Sequence, residues 1–245
     1  MRSVEPAVRL IPVRHLRRVI NYLLDHDFRV PTNTELPFWV TREILDKSQL
    51  LPATVLEGSD SRILLITDPG DRMIDHLPRE EQLRIYWRIL FRAAVIAEFD
   101  RNYGGGLVAQ DGTLRELPPR LDQFGAAAAR EIEFVLASEH CVQPGQSALA
   151  TFAMFASVYL DLSVFERHAV ELFFPSAPIA DVDRVLRTVF DVPALLARTR
   201  PPGAADPLRE PPPDENPLVE PHSPALSLPE EPQNALLLKA REAEE

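Results

Sequence analysis

Eleven of the chain's 24 prolines fall between Pro201 and Pro232. Proline lacks an N–H donor and fixes φ, so that density excludes a helix and disfavours a sheet. Asp206, Glu210, Asp214, Glu215, Glu220, Glu230 and Glu231 add mutual repulsion, opposed only by Arg209. Too little apolar surface lies there to offset the entropy of ordering. The pattern predicts a single compact helical domain over 1–198, a disordered proline-rich acidic linker over 199–232, and a separate segment over 233–245.

The last segment has its own character. Asn234 suits a helix N-cap, Leu236, Leu237 and Leu238 are apolar, and Lys239 to Glu245 favours helix. A helix this short is marginal alone. Either it frays, packs on the body, or acts as a docking peptide that folds in a partner's groove.

The net charge of −11 is uneven: Pro201 to Glu245 carries ten acids and three bases, which leaves −4 on the body. That balance argues against broad nucleic-acid binding. Cys141 is the only cysteine, so no intrachain disulfide can form and a reducing, cytoplasmic setting is expected. The N-terminal segment lacks the uninterrupted apolar core of a signal peptide. Ala148 to Leu160 is uncharged but shorter than the roughly 20 residues of a membrane span, and reads as a buried core helix.

Periodicity predicts a mainly α fold of about seven helices. The first follows Pro12, with Leu16, Ile20, Leu23 and Leu24 on one face. A second is expected from Pro37 to Lys47. Ala53 to Glu57 and Arg62 to Thr67 then read as a β-hairpin (53–67) around Gly58-Ser59-Asp60-Ser61. Thr67-Asp68-Pro69 suggests a helix start, with Leu77-Pro78 ending that helix. The longest helix runs from Arg79 to Phe99. Leu83, Tyr86, Trp87, Leu90, Phe91 and Ala94 form its core stripe, and Arg84, Arg88 and Arg92 its outer row. Further helices are expected over 122–138, 146–162, 163–173 with Ser163 and Glu166 as a capping box, and 181–190.

Few residues form a chemical constellation. On a helix, Asp68, Asp71 and Asp75 would share a stripe beside His76, an oxygen-rich set suited to Mg²⁺ or Ca²⁺ in a metal-dependent enzyme. Helix capping and dipole stabilisation account for Asp68 and Asp71 equally well. His140-Cys141 are adjacent in sequence, which sends their side chains apart on a helix rather than into a thiol–imidazole pair. Gly104-Gly105-Gly106 has no Lys-Ser/Thr after it and cannot be a phosphate loop of known form.

A DNA-binding regulator is a further alternative. Helix, helix and hairpin over 13–67 have the order of a winged helix, and Arg9, Arg14, Arg17 and Arg18 supply local charge. The expected recognition helix, however, carries Arg42, Glu43, Asp46 and Lys47, which nearly cancel. The sequence thus favours a non-enzymatic adaptor with an unidentified protein partner, no cofactor and no membrane contact. Leu236, Leu237 and Leu238 are its expected partner-binding residues.

Overall fold

The strand Arg62–Thr67 is buried from Ile63 onward, on both of its faces. Such a contiguous Ile/Leu run belongs to a central strand covered on two sides. In the computed structural model, which describes residues 1–24, 36–56, 61–68, 70, 74–104, 117–142 and 146–207, this strand is β3. It lies between β1 (Val8–Ile11), which pairs with it in parallel, and β2 (Phe38–Thr41), which pairs antiparallel. Ile63 and Leu65 pack with α1 (Val13–Leu24), α2 (Arg42–Ser48) and α3 (Ala53–Leu56). Leu64 and Ile66 pack against α4 (Arg79–Tyr103) on the other side.

Three expectations are corrected in this region. The 53–67 hairpin does not form: Ala53–Leu56 is helical, and β3 takes its partners from earlier strands. Pro52 starts the helical turn, its carbonyl accepting from the Val55 N–H at 3.0 Å. The helix expected from Pro37 to Lys47 is β2 followed by α2, because Phe38-Trp39-Val40-Thr41 suits a pleated, half-covered surface. The winged-helix order is replaced by a mixed sheet with helices on both faces. Of the expected turn, Gly58, Ser59 and Asp60 lie outside the described residues.

Of the helix expected between Thr67 and Leu77, residues 69 and 71–73 lie outside the described residues, and Gly70 falls in a 3-10 turn. Asp68 continues from β3, its N–H donating to the Ile11 carbonyl at 3.0 Å, and Ile74 to Leu77 forms a turn.

Helix α4 is buried on two faces. Tyr86, Ile89, Leu90 and Ala93 meet the sheet, while Trp87, Phe91, Val95 and Phe99 enter a second, larger core. The Trp39 indole N–H donates to the Ala93 carbonyl at 3.3 Å, and the Tyr86 hydroxyl to the Thr67 carbonyl at 3.0 Å. Both bonds fix the sheet on α4 without leaving a buried donor bare.

The larger core is built by a 3-10 turn (Leu121–Phe124), α5 (Ala126–Ser138), α6 (Ala148–Phe165), α7 (Arg167–Phe173), α8 (Ile179–Val189) and α9 (Val192–Thr199). Phe152, Phe155 and Tyr159 of α6 are fully buried, with Val158 close behind. Phe155 meets Phe174 edge-on with ring centroids 5.4 Å apart, and Phe99 stacks on Phe152 at the same separation. By length and composition α6 would suit a membrane span, yet most of it is buried inside the body. Among the described residues the chain is mainly helical, as the periodicity predicts.

The Ser163–Glu166 capping box does not form. α6 continues through Ser163, whose hydroxyl donates to the Tyr159 carbonyl at 2.8 Å, and α7 starts only after Glu166. Met1–Leu208 forms one compact unit. Arg200 lies 4.8 Å over the Trp87 ring, and the Ala205 N–H donates to the Glu80 carbonyl at 3.2 Å. Gly203, at φ +85°, makes the turn that returns Ala204 and Ala205 to α4. The expected segment 233–245, with Leu236, Leu237 and Leu238, lies outside the described residues.

Candidate binding cleft

Asp161 is a fully buried acid in the otherwise apolar α6. An ionised carboxylate there needs partners, and α4 supplies two. Arg88 donates from Nε to Asp161 Oδ1 at 3.1 Å and from Nη2 to Oδ2 at 2.8 Å. Arg92 donates from Nη2 to the same Oδ2 at 2.5 Å. The Nη1 of Arg88 also donates to Glu166, at the junction of α6 and α7. Arg88 and Arg92 stand one turn apart on α4, so both guanidiniums reach one acid on the facing helix.

These contacts correct the expected outer row of α4. Of these three, Arg84 pairs with an acid of its own helix, Glu81 at 2.8 Å rather than Glu80. Arg88 and Arg92 point inward. Burial alone would push the Arg88 guanidinium toward losing its proton. Hydrogen bonds and charge from Asp161, then Glu166, outweigh it and hold Arg88 above its ordinary range.

The cluster forms the polar floor of a cleft of about 410 Å³. Ile85, Ile89, Val135, Leu162 and Phe173 line its apolar walls. Cys141 and Glu139 also line the cleft, Cys141 following the left-handed His140 (φ +52°) that ends α5. Three large apolar side chains on α5 and α7 are exposed, of which Phe173 also lines the cleft. Phe134 is 72% exposed, Leu172 77% and Phe173 37%. Their helices adjoin: the Ser176 N–H, just past α7, donates to Glu131 of α5 at 2.9 Å.

A second groove, of about 790 Å³, runs between α6, α7, α8 and the start of α9. Three of its polar groups pair with one another. The Tyr159 hydroxyl donates to Asp183 at 2.9 Å, and Asp183 pairs with Arg187 at 3.5 Å. Burial, then the Asp183 hydrogen bond and charge, push the Tyr159 phenol well above its usual range.

The residues singled out from sequence are scattered. Asp68, Asp75 and His76 are exposed, and Asp71 lies outside the described residues. The carboxylates of Asp68 and Asp75 converge on Gly70, where a Cβ would lie 3.9 and 3.7 Å from them. Among the described residues no group of three His, Cys, Asp or Glu side chains is placed to hold a metal ion. Arg14, Arg17 and Arg18 are exposed on α1. Arg9 is separated from them: it is buried, donating to the carbonyls of Val55, Pro6 and Val8 at 2.8 Å each.

Asp161 escapes a reading based on periodicity, since the apolar run ends one residue before it. The combined signal is a lone acid at the end of that run and two arginines spaced by four in another core helix.

The chain matches no protein-family model, no curated protein and no solved structure.

Proposed function

We propose that this chain is a non-enzymatic interaction protein, an adaptor whose body docks a protein partner on the face formed by α5 and α7. The observation that carries this reading is the exposure of Phe134, Leu172 and Phe173 on two adjoining helices. Large apolar side chains grouped at a surface favour a partner that removes them from water. Aromatic residues beside a pocket are also the usual energetic anchors of an interface. Leu236, Leu237 and Leu238 supply a second contact in this reading, on an acidic tether that raises the effective concentration of the docked pair. A single cysteine supports a cytoplasmic setting.

The test is quantitative affinity capture with three proteins: the intact chain, the Phe134→Ser/Leu172→Ser variant, and a chain ending at Pro207. Captured proteins are identified, purified and rebound. The reading predicts a partner that the double variant loses and the shortened chain binds more weakly. Equal recovery by all three would refute it.

A further inference from the structure

The groove between α6, α7, α8 and the start of α9 is lined by polar side chains of two kinds. Most are engaged by the protein itself. The Tyr159 hydroxyl donates to Asp183, and Arg187 pairs with the same acid. The Ser163 and Thr188 hydroxyls donate to the Tyr159 and Val185 carbonyls at 2.8 and 2.7 Å. Asp191 accepts from the Ala194 N–H at 3.1 Å as the cap of α9. Arg167 and Glu171 are different. Both are exposed on α7 and line the groove, and neither has an ion pair or a hydrogen bond among the described residues. Arg167 precedes Glu171 by one turn, the less favourable order for a pair along a helix. Its charge is felt at the Tyr159 phenol, on the groove's wall.

Charge decides the class of occupant. The two free groups are one cation and one acid, beside aliphatic walls that include Leu160, Val164, Val170, Val189 and Val192. An apolar carboxylate would answer Arg167 but be repelled by Glu171, and an apolar amine would do the reverse. A neutral molecule would leave both groups to water. A zwitterion answers both with charge-assisted hydrogen bonds and adds no net charge. Its side chain gains by leaving water for the aliphatic walls. Size agrees: at about 790 Å³ the groove lies in the range of small-molecule sites and has room for a bulky side chain.

We infer that this groove binds a small zwitterion with a bulky apolar side chain, the chemistry of free leucine or phenylalanine. Its carboxylate accepts from Arg167, its ammonium donates to Glu171, and its side chain packs between Val164, Val170 and Val189. The site is separate from the docking face on α5 and α7, and either can fail without the other.

Isothermal titration of the intact chain with L-leucine and L-phenylalanine tests it, alongside their N-acetyl and amide derivatives. The free amino acids should bind, and blocking either charged end should weaken binding about tenfold, the typical effect of losing a hydrogen bond between charged groups. Two variants assign the ends. Arg167→Gln should weaken the free amino acid by the same factor and leave the amide, which already lacks the carboxylate, unchanged. Glu171→Gln should do the same to the free amino acid and leave the N-acetyl derivative unchanged. Both side chains are exposed, so both variants should keep the melting temperature of the intact protein. No detectable binding at millimolar concentration, blocked derivatives that bind as well as their parents, or affinity indifferent to both variants would overturn the inference. So would an N-acetyl derivative that binds more tightly than the free amino acid, since the groove would then be a plain anion site.

Discussion

Arg88 closes a two-bond fork on Asp161, Nε to Oδ1 and Nη2 to Oδ2, across the contact between the two longest helices. The pair fixes both the rotation and the height of α4 against α6. Apolar packing alone would leave several registers similar in energy, since α6 is apolar on nearly every side. Burying the ions carries a desolvation cost, so the gain is in register more than in net stability.

Replacing Asp161 therefore tests the cluster's structural share. Asp161→Ala leaves two guanidiniums without their shared acid and should cost about 3–5 kcal/mol in denaturant unfolding. Asp161→Ala combined with Arg88→Leu and Arg92→Leu should recover most of that loss. Recovery is the decisive arm: a triple variant as unstable as the single would show that Asp161 matters for another reason.

Phe155→Ala should cost about 3–5 kcal/mol, because Phe155 is fully buried among Phe124, Phe152, Tyr159 and Phe174. A change near zero would contradict the placement of α6 at the centre of the larger core.

Glu98 joins the end of α4 to α9 by accepting from Arg101 at 2.8 Å and Arg198 at 3.0 Å. Burial would raise its carboxyl pKa, but the two arginines prevail and hold it below the ordinary 4.5. A depressed folded-state value means that its contribution is full above pH 4.5 and fades as pH falls through that value. Glu98→Gln should thus lose about 0.2–1 kcal/mol at pH 7 and progressively less on acidification. Unfolding curves at pH 7 and pH 3 check the sign, and a loss that grows toward acid would reverse it.

The end of the folded body is set by Arg200, Ala204 and Ala205 rather than by the first prolines. A chain ending at Pro207 should melt within about two degrees of the intact protein. One ending at Thr199 loses the Arg200–Trp87 contact and two buried alanines, and should be less stable by about 1–3 kcal/mol. Calorimetry of the two truncations distinguishes them. Equal melting temperatures would place the boundary back at 199.

The elements that were legible in sequence are those whose signal is local. The stripe from Leu83 to Ala94 marks α4 because an i, i+3, i+4 pattern needs no knowledge of the partner surface. Phe152, Phe155 and Tyr159 were readable as core because α6 has almost no polar side. Long-range pairing was hidden. β1 and β2 are four residues each, too short to display alternation, and their partner strand is more than 20 residues away. Arg62 to Thr67 therefore looked for its nearest β-rich neighbour and was given the wrong one. The cleft was illegible for a related reason. Arg88 and Arg92 fit the polar side of an amphipathic helix, and only the proximity of Asp161, about 70 residues later, turns them inward.

The central claim is that the α5 and α7 face meets another protein, and site-specific photocrosslinking in cells reads it most directly. A photoreactive amino acid is placed singly at Phe134, at Leu172 and, as a control on the other side of the sheet from α4, at Arg14. The account predicts covalent adducts of a common partner from positions 134 and 172, and none from 14. Adducts from position 14 alone, or none from 134 and 172 in chains of normal stability, would contradict it.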